Sequence, residues 1–212
     1  MIGQRPHADP IHCPPMTPST TKSSWRAHAA CAALIMGLGA LAGCGRTALP
    51  TTQPLASPGH ALTAFVFLST ECPLSQNYTR QLDELRSAYD ATALDMVGVF
   101  PLSDDDEARV RAFCEKYPVG FPTRLDHEYV LVDALHASVT PEVFLLDAQD
   151  TLIYSGKIDN WAVELGQTRR VATVHYLKDA IDAHLQDSPV PVDHIDPVGC
   201  LLPEDPYIAQ TE

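Results

Sequence analysis

Along the chain, continuous apolar runs alternate with stretches whose apolar positions recur every three or four residues. Residues 62–69 (LTAFVFLS) are an unbroken apolar run rich in β-branched and aromatic members. That pattern predicts a strand buried on both faces. In 74–89, Leu74, Tyr78, Leu82, Leu85 and Tyr89 keep helical spacing. Residues 94–100 (LDMVGVF) predict a second strand. Ser103 is then expected to cap a helix opening on Asp104, Asp105, Asp106 and Glu107, since acids in a first turn complement the helix dipole. Pro118 would end that helix near Tyr117. A short extended piece at 121–126 and a short helix at 128–136 follow. A hairpin is predicted from 143–146 and 151–157, turning at 147–150. Residues 169–186 carry the longest helical pattern, with Val171, Val174, Leu177, Ile181 and His184 along one side. This order of strands and helices predicts an α/β fold.

The stretch before the first strand has another character. Residues 29–43 (AACAALIMGLGALAG) are uncharged and follow Lys22 and Arg26. A basic start, a short apolar core and small residues at its end predict a secretory signal. A membrane span would need roughly 20 apolar residues. The run closes on Leu41-Ala42-Gly43-Cys44, which resembles the lipobox of bacterial lipoproteins. That resemblance implies cleavage before Cys44 and lipidation of Cys44. Gly45 rather than Asp after the Cys favours the outer membrane. Pro50, Pro54 and Pro58 among Thr, Ser and Ala make 44–60 a tether. The expected organisation is a signal peptide with an N-terminal extension over 1–43, a lipidated linker over 44–60, a folded domain over 61–187 and a C-terminal segment over 188–212.

Charge narrows the partners. The 212 residues hold 14 Lys and Arg against 27 Asp and Glu, a net −13, so no basic field exists to bind nucleic acid. Six cysteines are too few for a disulfide scaffold. Cys72 stands out among them. It falls between the end of a predicted strand and the start of a predicted helix, where backbone N–H groups point outward and the helix dipole favours a thiolate. Pro73 suits the first helical turn, and Glu71, Ser75 and Gln76 make the surroundings polar, so the thiol is expected to be reachable.

Residues 64–76 (AFVFLSTECPLSQ) resemble the strand, nucleophile and helix start of the thioredoxin-like superfamily. Val139-Thr140-Pro141 followed by VFLLD resembles the loop that carries a cis-proline in that superfamily, and residues 154–159 resemble its hairpin. Val198-Gly199-Cys200 is similar to a C-terminal motif of the redoxin (AhpC/TSA-like) branch found in bacterial envelope proteins. The resemblance covers roughly residues 61–186. It implies a central mixed sheet flanked by helices, Cys72 as nucleophile, and Ser75, Thr140 and Pro141 as substrate-facing residues, with the Thr140 backbone free to pair with a substrate chain. No cofactor and no metal are implied.

Departures from the family pattern bear on mechanism. Ser75 replaces the second Cys of a Cys-X-X-Cys motif, so no disulfide can form there. Phe65 stands where peroxiredoxins have Pro, and Pro141 falls near where they place an Arg, with Arg124 as a conceivable substitute. A lone nucleophilic thiol needs a resolving partner. Cys114 reads as a small buried hydrophobe. Cys200 lies on a segment able to cross the domain surface, and resolving and structural pairing stand level for it. The expected activity is thiol–disulfide exchange on a disulfide-bearing or thiol protein, from a lipid-anchored position in a bacterial envelope. A peroxiredoxin-like peroxidase is the second reading. A third is a binding module for a protein or for copper, held by Cys72, Cys200 and either His175 or His194.

Overall fold

The computed structural model describes residues 54–204. Strand β1 (Leu62–Phe67) is followed by α1 (Pro73–Ser87), β2 (Leu94–Phe100), α2 (Glu107–Lys116), β3 (Thr123–Leu125) and α3 (Val130–Leu135). Next come β4 (Val139–Thr140), β5 (Glu142–Asp147) and β6 (Leu152–Gly156). A small hairpin of β7 (Ala162–Glu164) and β8 (Gln167–Thr168) precedes α4 (Tyr176–Leu185). The chain closes on β9 (His194–Ile195) and β10 (Cys200–Leu201). The main sheet has the order β3-β2-β1-β5-β6-β9. β1 pairs parallel with β2 and antiparallel with β5, so the sheet is mixed and the α/β reading holds.

β1 carries apolar side chains on both faces, as its sequence predicts. Leu62, Ala64 and Val66 join one core cluster with Leu74, Tyr78 and Leu82 of α1 and Leu177, Ala180 and Ile181 of α4. Val110 and Phe113 of α2 belong to the same cluster. Phe65 and Phe67 face the other side, against Leu131 and Val132 of α3 and Phe144 of β5. Phe67 meets Phe144 edge-on, ring centroids 5.6 Å apart. Each fully buried Leu or Phe here contributes about 1.5–3 kcal/mol.

Two helices depart from the sequence pattern. α2 starts at Glu107, not after Ser103. Asp105 is turned inward, 1% exposed, and accepts from the Thr70 N–H at 3.1 Å and from the Thr70 hydroxyl. That contact holds its carboxylate against another loop, and Asp106 becomes the cap, accepting from the Arg109 N–H at 2.8 Å. α4 starts at Tyr176, well after residue 169. Asn160 Oδ1 accepts from the N–H groups of Thr173 and Val174 at 2.8 and 3.2 Å and keeps that stretch in a loop. Val171 and Val174 are accordingly exposed rather than in the core. Among the described residues no helix is long and apolar enough to cross a membrane.

The register places one end of the sheet. Phe67 at the end of β1 lies opposite Glu142 at the start of β5. The turn between β4 and β5 therefore sits beside the loop that leads from β1 into α1. Glu142 itself is 3% exposed. Its carboxylate accepts from the N–H groups of Ser138 and Val139 at 2.7 and 3.3 Å, pinning the start of β4. Burial raises its pKa, and those hydrogen bonds only partly offset the rise. Replacing Glu142 with Ala leaves the buried Val139 N–H without its acceptor. We expect Glu142→Ala to destabilise the domain by about 1–3 kcal/mol, read as a lower urea midpoint at unchanged slope.

Candidate functional site

Cys72 is the N-cap residue of α1, with extended backbone at φ −79° and ψ 115°. Pro73 occupies the first helical turn, where a missing N–H costs nothing. The Cys72 carbonyl accepts the first intrahelical bond, from the Gln76 N–H at 3.0 Å. The loop ahead of Cys72 is tied to the helix it feeds. Gln76 Nε2 donates to the Thr70 carbonyl at 2.7 Å, and the Ser75 hydroxyl accepts from the Ser69 N–H at 3.3 Å. Ser75 is fully buried, so it acts from beneath the site.

Three groups surround the Cys72 sulfur. Its S–H donates to the Thr140 carbonyl at 3.0 Å. The Cys200 S–H donates to Cys72 Sγ, with the two sulfurs 2.9 Å apart. The Ser75 backbone N–H and hydroxyl approach from the helix. Burial by itself would raise the Cys72 pKa. The hydrogen bonds from Cys200 and from Ser75 outweigh it and hold the thiol below its ordinary value. Cys200 shows the opposite shift. Burial, its hydrogen bond to Cys72 and the Cys72 charge push it up to about 12. One proton thus stays on Cys200 while Cys72 is freed to ionise.

Cys200 reaches this position from the far end of the chain. β10 pairs antiparallel with β4, Cys200 opposite Thr140 and Leu201 opposite Val139. The Thr140–Pro141 peptide bond is cis. Both cysteines are free thiols. Cys114 lies apart, on the core face of α2. A disulfide needs the sulfurs about 2.05 Å apart, so roughly 1 Å of approach would join Cys72 to Cys200.

The structure corrects one expectation here. Cys72 is not open to solvent: it is 2% exposed, because Cys200 and β10 lie over it. Polar neighbours in the sequence could not reveal a cover supplied 128 residues later. Cys44 lies outside the described residues. His175 stands before α4, and His194 sits in β9 with its Nδ1 2.8 Å from the Ser155 hydroxyl. Among the described residues no three His, Cys, Asp or Glu side chains are grouped to hold a metal ion, so the copper set does not assemble. Arg124 lies on β3, where its charge acts on Asp126.

Sequence reasoning missed two acids that shape the site. Asp105 braces the Thr70 loop, and Glu142 braces β4. Asp105 was hidden in an acidic run that reads as a helix start. Glu142 follows Pro141 directly and has no polar neighbour in sequence to mark its role. A third buried acid, Asp159, accepts from the Tyr78 hydroxyl at 2.7 Å and Gln81 Nε2 at 2.8 Å, and ties α1 to the loop after β6.

Comparison with known proteins agrees with this geometry. The AhpC/TSA family matches residues 56–155. A hypothetical protein from Sinorhizobium meliloti is similar in structure, with a TM-score of 0.59 and 25% identity over 68% of this chain and 79% of that one. An uncharacterized conserved protein from Geobacillus kaustophilus gives 0.57 and 22%, over 69% and 79%. A putative thiol:disulfide interchange protein DsbE from Chlorobium tepidum gives 0.45 and 15%, over 61% and 80%. No curated protein matches the chain. A mixed sheet that ends in a helix-capping cysteine and a cis-proline turn facing it give this domain a thioredoxin-like fold, similar over 56–155 to the AhpC/TSA family.

Proposed function

We propose that the protein is a thiol–disulfide oxidoreductase with Cys72 as nucleophile and Cys200 as resolving cysteine. The observation that carries this reading is the pair of free sulfurs 2.9 Å apart, with the thiol pKa lowered on one and raised on the other. The Cys72 thiolate attacks one sulfur of a substrate disulfide. The substrate S–S bond breaks, its second sulfur leaves with the electron pair and takes a proton, and Cys72 is left in a mixed disulfide. Cys72 then carries no charge and accepts no proton from Cys200. Two of the causes that hold Cys200 protonated are gone, and its pKa falls. The Cys200 thiolate attacks Cys72 Sγ, closes the Cys72–Cys200 disulfide and releases the substrate as a dithiol. An external dithiol returns the pair, and the same steps in reverse oxidise a substrate.

A peroxidase is the second reading, favoured by the AhpC/TSA match over 56–155. There the Cys72 thiolate attacks a peroxide oxygen, the O–O bond breaks, an alcohol or water leaves, and Cys200 condenses with the sulfenic acid. Phe65 in place of Pro, and Pro141 near where peroxiredoxins place an Arg, weigh against it. The lipobox-like 41–44 supports an anchor at Cys44, which would hold the domain on an envelope membrane facing thiol or disulfide proteins.

Reduction of insulin disulfides with a dithiol donor tests the main reading. Cys72→Ser should lose at least about 100-fold in rate, and Cys200→Ala should accumulate a mixed disulfide on Cys72. Activity unchanged in Cys72→Ser sinks both catalytic readings, and peroxide consumption outpacing insulin reduction promotes the second. Removing Cys200 also removes the strongest group lowering the Cys72 pKa. The rate of Cys72 alkylation against pH should therefore move to higher pH in Cys200→Ala, and a profile that stays in place contradicts the shared proton. Mass spectrometry of the membrane fraction should find no peptide before Cys44, and Cys44→Ala should release the protein from membranes.

A further inference from the structure

The C-terminal segment is fastened to the domain in two places, each through a glycine. Upstream, β9 pairs parallel with β6, Ile195 opposite Gly156. Gly156 has φ +112°, and a Cβ there would stand 1.8 Å from the Ile195 carbonyl oxygen. Downstream, β10 pairs with β4. A Cβ at Gly199 would stand 2.4 Å from the Thr140 carbonyl oxygen and 2.7 Å from its carbon. Both atoms are backbone, so they cannot swing aside. Val198 packs against the main core, Leu202 against the smaller cluster, and the Leu202 N–H donates to the Ser138 carbonyl at 2.9 Å. Between the fastenings lie only Asp196 and Pro197 ahead of Val198. Leu201 is 80% exposed, so little else covers this strand.

This geometry has a consequence for access. Cys72 is 2% exposed, and Cys200 on this segment lies directly against its sulfur. The outer edge of β4, which would align an incoming chain beside Cys72, is already occupied by β10. Each fastening is two residues long, but β10 and β4 form a separate two-stranded sheet, whereas β9 sits on the edge of the six-stranded main sheet. We propose that Val198–Leu202 is a removable strap occupying a docking edge on β4, and that the chain displacing it is an extended cysteine peptide with glycine immediately before the cysteine. The strap shows what the edge accepts: a sulfur opposite Thr140, and no side chain one residue earlier. The inference rests on Cys72 being the nucleophile, and adds to it the sequence that the edge reads and the strap that guards it.

The test uses the full reduced chain and two synthetic peptides, Pro-Val-Gly-Cys-Leu-Leu and Pro-Val-Val-Cys-Leu-Leu, each joined through its cysteine to 2-thiopyridine. The Cys72 thiolate attacks the peptide sulfur, the peptide–thiopyridine S–S bond breaks, and thiopyridone leaves with the electron pair. Its absorbance gives the rate, and peptide mass mapping gives the site. Wild type should react slowly with both peptides. Lifting the strap also takes away the Cys200 hydrogen bond, so rates are compared on the alkaline plateau of each variant's alkylation profile, where Cys72 is ionised throughout. There Gly199→Val, whose new side chain meets Thr140, should raise the rate with the glycine peptide at least about tenfold, leaving the valine peptide behind. Leu202→Asp, which removes the strap's outer anchor, should act in the same direction if Gly199→Val fails to fold by circular dichroism. Wild-type rates in the folded variants overturn the strap, and equal rates for the two peptides overturn the glycine requirement. Because the exchange is stoichiometric, these outcomes are independent of turnover. A chain that captures the glycine peptide but never reduces insulin would sink the oxidoreductase reading while leaving the docking edge in place.

Discussion

One hydrogen bond between two sulfurs organises this site. The Cys200 thiol donates to Cys72, and in doing so lowers the acidity of one sulfur and raises that of its neighbour. Helix-terminus dipoles alone would have to overcome the burial of Cys72, which is nearly complete. The Ser75 N–H and hydroxyl supply part of the balance, and Cys200 is the largest contributor. In the proposed function, the segment that lowers the Cys72 pKa must also move aside for a large substrate.

The scaffold makes this arrangement reproducible. β1 runs to Phe67 and delivers Cys72 to the helix mouth, while its antiparallel neighbour β5 begins at Glu142 at the same level. The cis peptide at Pro141 and the Glu142 carboxylate set the course of β4, and β4 in turn sets the height of Cys200. Buried acids do this bracing: Asp105, Asp126 and Glu142 accept mainly from backbone N–H groups and hydroxyls, with the Arg124 charge a smaller aid to Asp126. Their charges are solvated by the chain itself, and their pKa values rise under burial all the same.

Much of this was legible in the residues. The strands 62–67 and 94–100, the helix after Cys72 and the hairpin around 147–150 follow from periodicity and turn chemistry. Cys72, Ser75, Thr140, Pro141 and Cys200 do converge, and the motif order that suggested it is physical: a strand end, a helix start and a proline turn meet at one sheet end. What sequence could not carry was anything set by distant partners. The acids at 104–107 read as a helix start until Thr70 claims Asp105. The pattern at 169–175 reads as helix until Asn160 binds its amides. Polarity around Cys72 reads as exposure until β10 arrives.

The two thiols lie 128 residues apart along the chain. Oxidation would therefore close a loop spanning most of the folded domain. In the chain-entropy description a loop of roughly 100 residues adds about 4.7 kcal/mol to the stability of a fold. Redox state and mechanical integrity are thereby linked: each reducing half-cycle would remove a staple from the whole domain, and each oxidising one would restore it. The oxidised protein would be the hardier form, the one suited to waiting, and the reduced protein the looser form, the one suited to exchange.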